Sequence, residues 1–581
     1  MSKKPNGARK SQELRPTAVP PSAMAPNGQR YDAGMRDRDH YASRLPKWRY
    51  DLRQRLIPIV RRETPYLALM QEKLRTPALD SYFALTANLG THTFFMVMLP
   101  ILFWCGYTSL GRAMVHVLAG GVFWSGFMKD ALCLPRPLSP PLQRITMSGS
   151  AALEYGWPST HSTNAVSVAV YAIYCLRAVE NPASPMVHLA LQAAFYWYAI
   201  SIVVGRLYCG MHGFFDVVIG SLLGALLSVV QLGYGELFDY WICDGSYIRP
   251  LVATLITFVL VRIHPEPADD CPCFDDSVSF SGVFIGIQAG AWHFAGTRFA
   301  LDEPIPGTVP FDLHTIGWPK TCVRILLGVL IIFGWRGTVK TLLLRILPPL
   351  FRKLEQLRMS LPRKFFLNAS QYTIVPTLRK DDNVIPSPYE IPSLLTRFSH
   401  PRRKSISIGP QSMADAYETL AYRQTQRRES LSSPNAKSPL SPLARGPQTC
   451  SGSGNNYFTS TPSRPESPSV SSMERPSGAN LLPTPASSCV HLYEQMMGTG
   501  EVDIPLTPPE SSGSAGSEDV FADSQQEDGK EEQEMFLSLE KPRVRYDVEV
   551  VTKLIVYSGI GWLAVEGNPI LFELCGLGMR G

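Results

Sequence analysis

Apolar segments of near-membrane length recur along the chain, most of them in its first 345 residues. A transmembrane α-helix needs about 20 predominantly apolar residues, and about nine segments approach this length. They lie near residues 83–106, 111–128, 162–176, 189–205, 217–235, 248–263, 278–296, 322–337 and 550–567. Their frequent Gly, Ala and Ser residues permit close helix packing in lipid. The pattern predicts an all-α, polytopic transmembrane helix bundle of about 8–9 spans.

Composition divides the chain into an apolar part and a polar part. Residues 80–345 are rich in Leu, Val, Ile, Phe and Gly, whereas residues 365–545 are rich in Ser, Pro, Thr and charge. The polar part cannot bury enough apolar surface to offset its ordering entropy, so we predict a long disordered insertion before the last span. The predicted parts are a basic N-terminal arm (1–78) that is largely disordered or interfacial, a membrane core (79–345), the Ser/Pro-rich insertion (346–545) and a final span with the C-terminus (546–581).

The insertion carries candidate phosphorylation sites. Some serines follow arginines, in RRKSIS and RRES, and other serines and a threonine precede proline. Phosphorylation acts readily on disordered segments, although Ser/Pro-rich linkers contain such dipeptides in any case. Protein kinases are therefore predicted partners of this segment. The candidate sites are Ser405, Ser407, Ser430, Ser433, Ser438, Ser441 and Thr507.

The position of the charge is more informative than the net charge of +6. Basic residues cluster in the N-terminal arm and after the main apolar part, as in membrane proteins with basic segments beside their spans. The sequence has no zinc-finger spacing and no aromatic-and-basic strand pattern, so a nucleic-acid partner is not expected. The N-terminus has no apolar signal-peptide core. Most of the 11 cysteines lie in apolar runs, and Cys271 and Cys273 are too close together for a disulfide framework.

Three polar clusters lie beside predicted spans, where ionisable residues are costly and often functional. The first is KDALCLPRP, with Lys129 and Arg136 at the end of the second span. The second is PSTH at residues 158–161, and the third is GRLYCGMHGFFD at residues 205–216. Two spans separate the second cluster from the third. All three clusters can therefore meet on one side of the membrane.

The clusters contain groups that bind a phosphate. Lys129, Arg136 and Arg206 supply cations, and arginine contacts phosphate oxygens in a bidentate manner. Ser159 and Thr160 stand where a helix begins, and helix N-termini bind anions. The residue types thus predict a phosphate site.

Two histidines add a nucleophile and an acid. His212 and Asp216 are four residues apart and share a helix face. Asp216 can therefore hold one ring nitrogen protonated and leave the other free to attack phosphorus. His161 can protonate the departing alcohol oxygen, and the cations would stabilise the transferring group. No set of His, Cys and carboxylate residues has metal spacing, so neither a metal nor a cofactor is expected in the mechanism.

These clusters resemble the type 2 phosphatidic acid phosphatase superfamily, whose pattern is K-x6-RP, PSGH and SR-x5-H-x3-D. The first motif is complete here, whereas Thr160 replaces the glycine of the second and Gly205 the serine of the third. The resemblance implies that His212 forms a phosphohistidine, that Asp216 orients it and that His161 is the acid. The phosphate-binding residues that it implies are Lys129, Arg136, Ser159, Thr160 and Arg206.

A wider resemblance covers residues 45–345 and 540–575. It includes the loop HPEPADDCPCFDDSVSF and the terminal RYDVEVVTKLIVYSGIGWLAVEGNPILFE. The resemblance is to the sphingosine-1-phosphate phosphatases, above all their fungal long-chain-base branch. It implies a multi-pass protein of the endoplasmic reticulum membrane that releases phosphate from sphingoid base phosphates, in sphingolipid metabolism. The alternatives are a phosphatidate or polyprenyl diphosphate phosphatase, and an inactive membrane scaffold.

Two observations predict opposite orientations in the membrane. By the span count, the N-terminal arm, the three clusters and the insertion share one side. The basic arm predicts that this side is cytosolic, whereas the resemblance implies a site that faces the lumen. The sequence leaves both orientations open.

The remaining polar residues receive structural interpretations. The acidic residues after His264 are predicted to form a solvated loop, with attraction of a substrate ammonium group as the alternative. These residues are Glu266, Asp269, Asp270, Asp275 and Asp276. The histidines predicted to be satisfied polar residues are His92, His116, His188 and His293.

Overall fold

The computed structural model describes residues 32–90, 92–139, 141–145, 153–179, 184–357, 363–375 and 544–579. The candidate phosphorylation sites, and the predicted disorder of residues 376–543, lie outside the described residues. The part of the chain that is described is mostly helical, as the apolar pattern predicts.

Helices occupy each of the predicted apolar segments. They are α1 (Arg38–Arg44), α2 (Lys47–Leu74), α3 (Pro77–Ala87), α4 (His92–Trp104), α5 (Thr108–Leu132), α6 (Thr160–Arg177), α7 (Pro185–Tyr208), α8 (Phe214–Cys243), α9 (Ile248–Ile263), α10 (Cys273–Ala295), α11 (Leu313–Ile316), α12 (Trp318–Gln356), α13 (Val548–Trp562) and α14 (Asn568–Leu574). A 3₁₀ turn, Asn88–Gly90, divides the first predicted segment into α3 and α4. The two short strands β1 (Phe366–Leu367) and β2 (Arg545–Tyr546) pair in parallel.

Four stretches of the described chain are long and apolar enough to cross a membrane. They are α7, α8, α12 and the continuous run Val548–Leu574 that contains α13 and α14. The protein is therefore a multi-pass membrane protein. The larger number of 8–9 spans stays a prediction.

Helix α6 packs closely against α8 at the end where both helices begin. Ser159 caps α6, and its hydroxyl accepts a hydrogen bond from the amide of Ser162. The backbone amide of Ser159 in turn donates to the carbonyl of Asp216 on α8. A Cβ atom at Gly220 would lie 2.6 Å from the carbonyl oxygen of Ser159. Glycine at this position therefore lets the first turns of the two helices lie side by side.

The N-terminal arm lies against the end of α5. Arg49 on α2 donates to the carbonyl oxygens of Asp130 and Ala131, and Arg53 donates to that of Cys133. Both arginines are buried. Residues 38–74 are thus folded, which excludes the disordered alternative for them, while an interfacial position in the membrane stays a prediction.

The predicted start of the insertion at residue 346 is wrong. Helix α12 continues to Gln356, and Arg352 on its last turns donates to the carbonyl oxygens of Ala369 and Tyr372. The hydroxyl of Tyr372 donates to Asp547, just before α13. Tertiary contacts therefore extend the folded part to residue 375 and join it to the segment that follows the insertion.

The prediction of a solvated acidic loop is wrong for Asp269 and Asp275, both of which are buried. Asp269 accepts hydrogen bonds from the Tyr41 and Tyr155 hydroxyls and the amide of Gly34. Burial by itself raises the pKa of Asp269, but hydrogen bonds from the arm and the charge of Arg36 outweigh it and lower that pKa. The carboxylate therefore ties the N-terminal arm to the loop before α10.

Asp270 and Asp275 of this loop pair with the segment after the insertion. Arg545 lies 2.9 Å from Asp270 and 3.2 Å from Asp275, and Lys553 lies 2.9 Å from Asp275. These carboxylates already pair with Arg545 and Lys553, cations that belong to none of the three polar clusters. Recognition of a substrate ammonium group by them is therefore not favoured.

Candidate active site

The three polar clusters meet at the ends of α5, α6 and α8. Arg136, in the linker after α5, places Nη1 3.2 Å from Nε2 of His212 and donates to the carbonyl oxygen of Met211 at 2.8 Å. Lys129, near the end of α5, and Arg206, near the end of α7, are also buried. We call the candidate phosphate-binding group Lys129, Arg136, Ser159, Thr160, Arg206 and His212 the phosphate cage.

His212 occupies the linker between α7 and α8, where its ring is buried. Its Nδ1 atom lies 3.6 Å from the carboxylate of Asp216, beyond hydrogen-bond distance. The same carboxylate accepts a hydrogen bond from the amide of Gly213 at 2.9 Å, which fixes it in the first turn of α8. The ring thus presents Nε2 to Arg136 and Nδ1 to Asp216.

The surroundings of His212 hold its pKa well below the usual value of 6.5. Burial is the largest cause, and the positive charges of Arg136, Lys129, Arg206 and His161 add to it. The imidazole is therefore neutral at physiological pH. A neutral imidazole has a free lone pair and can act as a nucleophile.

The start of α6 supplies the second cluster. The Ser159 hydroxyl is fully buried and accepts from the Ser162 hydroxyl at 3.0 Å, so its own hydrogen can still be donated to an anion. Thr160 is the first residue of the helix, and its hydroxyl lies 2.9 Å from that of Ser125. His161 follows it and acts on the charge state of His212. The helix start thus brings a hydroxyl, an N-terminal amide and an imidazole to the cage.

Phe83 accounts for the glycine at position 205. A Cβ atom at Gly205 would lie 2.9 Å from the ring of Phe83 on α3. The neighbouring Arg206 is buried, and its Nε atom has no hydrogen-bond partner among the described residues. The serine of the superfamily pattern is therefore replaced by a close helix contact, while the arginine stays available to an anion.

Glu154 lies at the cage although the motifs do not contain it. Its carboxylate is 3.1 Å from Nη2 of Arg136 and 3.7 Å from Nζ of Lys129, and its side chain is 28% exposed. A carboxylate that contacts two cage cations occupies part of the volume that a phosphate would need. The sequence AALEYGW gives no sign of this role, because Glu154 reaches the cage only through the folding of the α5–α6 linker.

Glu63 is a second residue that sequence analysis missed. It lies on α2, and its carboxylate accepts from the amide of Phe215 at 2.9 Å. It therefore satisfies a free amide at the start of α8, next to Asp216. Its separation of about 150 residues from that helix leaves no local sequence signal.

The other histidines have polar partners in the described structure, as predicted. His116 lies 3.2 Å from Gln231 and 2.7 Å from Gln288, and His188 lies 2.6 Å from the carbonyl oxygen of Leu176. His293 contacts Glu566. The side chain of His92 lies outside the described residues.

Comparison with known proteins identifies the family. The PAP2 superfamily matches residues 90–235, which contain the three clusters. A dihydrosphingosine 1-phosphate phosphatase of Schizosaccharomyces pombe is 39% identical over 332 residues, which cover 57% of this chain and 79% of the relative. A dihydrosphingosine 1-phosphate phosphatase of Saccharomyces cerevisiae is 32% identical over 332 residues, 56% of this chain and 80% of the relative.

More distant relatives have related names. Sphingosine-1-phosphate phosphatase 2 of Homo sapiens is 26% identical over 313 residues, which cover 51% of this chain and 76% of the relative. No solved structure matches the chain. The chain therefore belongs to the PAP2 superfamily, in the same family as the two fungal dihydrosphingosine 1-phosphate phosphatases.

Proposed function

We propose that the protein hydrolyses sphingoid long-chain-base 1-phosphates, such as dihydrosphingosine, phytosphingosine and sphingosine 1-phosphate, to the free base and phosphate. It is a phosphoric monoester hydrolase whose reaction needs no metal, as its family membership indicates. The observation that carries the proposal is the contact between Nε2 of His212 and Arg136 in a buried cage of cations. The names of the relatives supply the class of substrate.

In the first step, the phosphate binds among Lys129, Arg136 and Arg206, with the Ser159 hydroxyl and the Thr160 amide as further donors. Nε2 of His212 attacks phosphorus, and the bond from phosphorus to the C1 oxygen of the base breaks. Asp216, 3.6 Å from Nδ1 in the substrate-free site, closes on the Nδ1 proton as the positive charge forms on the ring and stabilises that charge. His161 protonates the departing oxygen, so the free base leaves as a neutral alcohol at C1.

In the second step, water hydrolyses the phosphohistidine. His161, now neutral, takes a proton from the water, whose oxygen attacks phosphorus as the bond to Nε2 breaks. Inorganic phosphate leaves and His212 is regenerated. The arginines and the lysine stabilise the charge of the transferring phosphoryl group in both steps.

Glu154 offers a basis for choosing among phosphate lipids. A sphingoid base phosphate carries an ammonium group on the carbon next to the phosphate ester, whereas phosphatidate has none. The carboxylate of Glu154 is partly exposed at the edge of the cage, within 3.1–3.7 Å of the cations that would hold the phosphate. We therefore assign it the role of pairing with the substrate ammonium group.

The position in the membrane is also part of the proposal. We place the protein in the endoplasmic reticulum membrane, with the α3–α4 segment, α5, α6, α9 and α10 crossing the bilayer in addition to the four long apolar stretches. The cage then lies at the membrane edge, where a lipid phosphate can reach His212 while its alkyl chain stays in the bilayer. Imaging of the tagged full-length protein beside a reticulum marker tests the location.

The decisive experiment measures phosphate release by the detergent-purified full-length protein, in EDTA, from dihydrosphingosine 1-phosphate and from phosphatidic acid. Preference for the sphingoid substrate, with inhibition by vanadate, is the expected result. Equal or reversed preference would keep the histidine mechanism but refute the sphingolipid assignment. Release from neither substrate would favour an inactive scaffold.

A pair of matched variants separates catalysis from folding. His212→Gln is expected to abolish release, since glutamine cannot form the phosphoenzyme. His314→Gln changes an exposed histidine on α11 and is expected to leave release unchanged. Retained activity in His212→Gln would refute the assignment of the nucleophile.

A further inference from the structure

A compact group of buried ligating side chains lies beside the phosphate cage. It consists of Asp130 at the end of α5 and of Cys271 and Cys273 at the start of α10. One carboxylate oxygen and the two sulfur atoms all lie within 4.8 Å of one another. Asp130 and Cys271 are fully buried, and Cys273 is 6% exposed. Both cysteines are free thiols.

Asp130 is poorly satisfied by the protein around it. Neither of its carboxylate oxygens has a hydrogen-bond partner within the described residues. A buried carboxylate without such partners is costly unless a cation lies against it. Nδ1 of His264 is 3.7 Å away, so an imidazole also borders the group. Two thiols and an imidazole thus lie near one buried carboxylate.

The residue types fit zinc better than other common metals. Thiolates select softer ions, and a set of two Cys with His and a carboxylate matches the four-coordinate sites of Zn²⁺. In a tetrahedral zinc site, two ligand atoms bonded at about 2.0–2.3 Å lie about 3.3–3.8 Å apart. The two sulfur atoms lie 2.7 Å apart, and the carboxylate oxygen lies within 4.8 Å of both, so the side chains must rotate to bring all three atoms to these separations.

We propose that Asp130, Cys271 and Cys273 bind one Zn²⁺ and that His264 fills the fourth position. Binding displaces a proton from each thiol, because the thiolate is the ligand. The metal would fasten the end of α5 to the loop before α10. Lys129 of the cage directly precedes Asp130, so the zinc holds this lysine in place and takes no part in the hydrolysis.

The test is the metal content of the full-length protein, purified in detergent without chelator and measured by inductively coupled plasma mass spectrometry. About one zinc per chain is expected. Cys271→Ser and Asp130→Asn are expected to lose it. Cys322→Ser changes an exposed cysteine on α12 and serves as the matched control, which should keep its zinc. Replacement of zinc by Co²⁺ in the wild-type protein should give thiolate-to-cobalt charge-transfer absorption, a result that needs no variant.

Several outcomes would overturn the proposal. The first is that the wild-type protein neither contains zinc nor takes it up after reduction. The second is that zinc remains bound in both Cys271→Ser and Asp130→Asn. The third is that the isolated protein has a disulfide between Cys271 and Cys273. These results do not depend on phosphate release. Failure of the zinc site and failure of the proposed hydrolysis are therefore distinguished.

Discussion

Replacing Glu154 by Gln should reduce the preference for sphingoid base phosphates and at the same time tighten the binding of vanadate. The two effects have one cause. The carboxylate contacts Arg136 and Lys129 in the substrate-free site, and in our proposal it turns to the ammonium group once the phosphate has taken its place. Glutamine keeps the shape of the side chain and removes the charge.

The size of the first effect follows from the partial exposure of Glu154. Fully exposed ion pairs contribute up to about 1 kcal/mol, and hydrogen bonds to charged groups contribute about 1.5–3 kcal/mol. A carboxylate that is 28% exposed belongs near the lower of these values. About 1 kcal/mol corresponds to a roughly 5-fold change in relative kcat/KM.

The assay compares kcat/KM for dihydrosphingosine 1-phosphate and for phosphatidic acid in mixed micelles, with vanadate inhibition measured in parallel. Vanadate has no ammonium group, so loss of the competing carboxylate should lower its inhibition constant by about 3-fold or more, which is ~0.7 kcal/mol. Glu72→Gln, which changes an exposed glutamate on α2, is the matched control and should alter neither quantity.

Two results would refute this reasoning. An unchanged ratio of kcat/KM would show that Glu154 does not contact the substrate ammonium group. Weaker inhibition by vanadate would show that the carboxylate supports the cage and does not compete with the phosphate.

Three further predictions concern the site and its supports. On the acidic side of the pH profile, kcat/KM should fall only below pH 6.5, because the low pKa of His212 keeps its ring neutral down to that pH. Arg136→Gln should shift this fall to higher pH, because the charge of Arg136 is one cause of the low pKa of His212. Gly220→Ala should destabilise the protein by about 1–3 kcal/mol in thermal unfolding, because the added methyl group meets the Ser159 carbonyl. Gly233→Ala, on the same helix, adds a methyl group with nothing within 4 Å and should leave the stability unchanged. Equal effects of the two substitutions would contradict the packing argument. Asp269→Asn should lower the melting temperature and leave the preference between the two lipids unchanged, because this carboxylate binds the N-terminal arm. A changed preference would instead support recognition of the substrate ammonium group by the acidic loop.

The helical segments were predictable from the sequence because membrane helices are specified locally. A run of apolar residues makes its backbone hydrogen bonds within its own helix, so the run can be recognised in the sequence without knowledge of the segments that pack against it. Boundaries set by contacts with distant residues were not visible. Gln356 ends α12 far beyond the apolar run because Arg352 binds the segment that follows it.

The proximity of the cage residues was foreseeable for a different reason. Its members, such as Arg136 and His212, stand in short motifs whose order and spacing reflect the helix ends that carry them, and span parity places those ends together. Glu154 and Glu63 belong to no motif, and only the course of the backbone between helices brings them to the site.

The sequence by itself thus determined the class of chemistry and the helices that carry it, since residue types, spacing and apolar runs are local properties. Tertiary structure alone decided which charges face each other. It turned an apparently solvated acidic loop into buried partners of Arg36 and Arg545, and it placed Asp130 beside a cysteine pair about 140 residues away. The physical reason is that burial and the pairing of charges depend on segments far apart in the chain, whose approach no local pattern records.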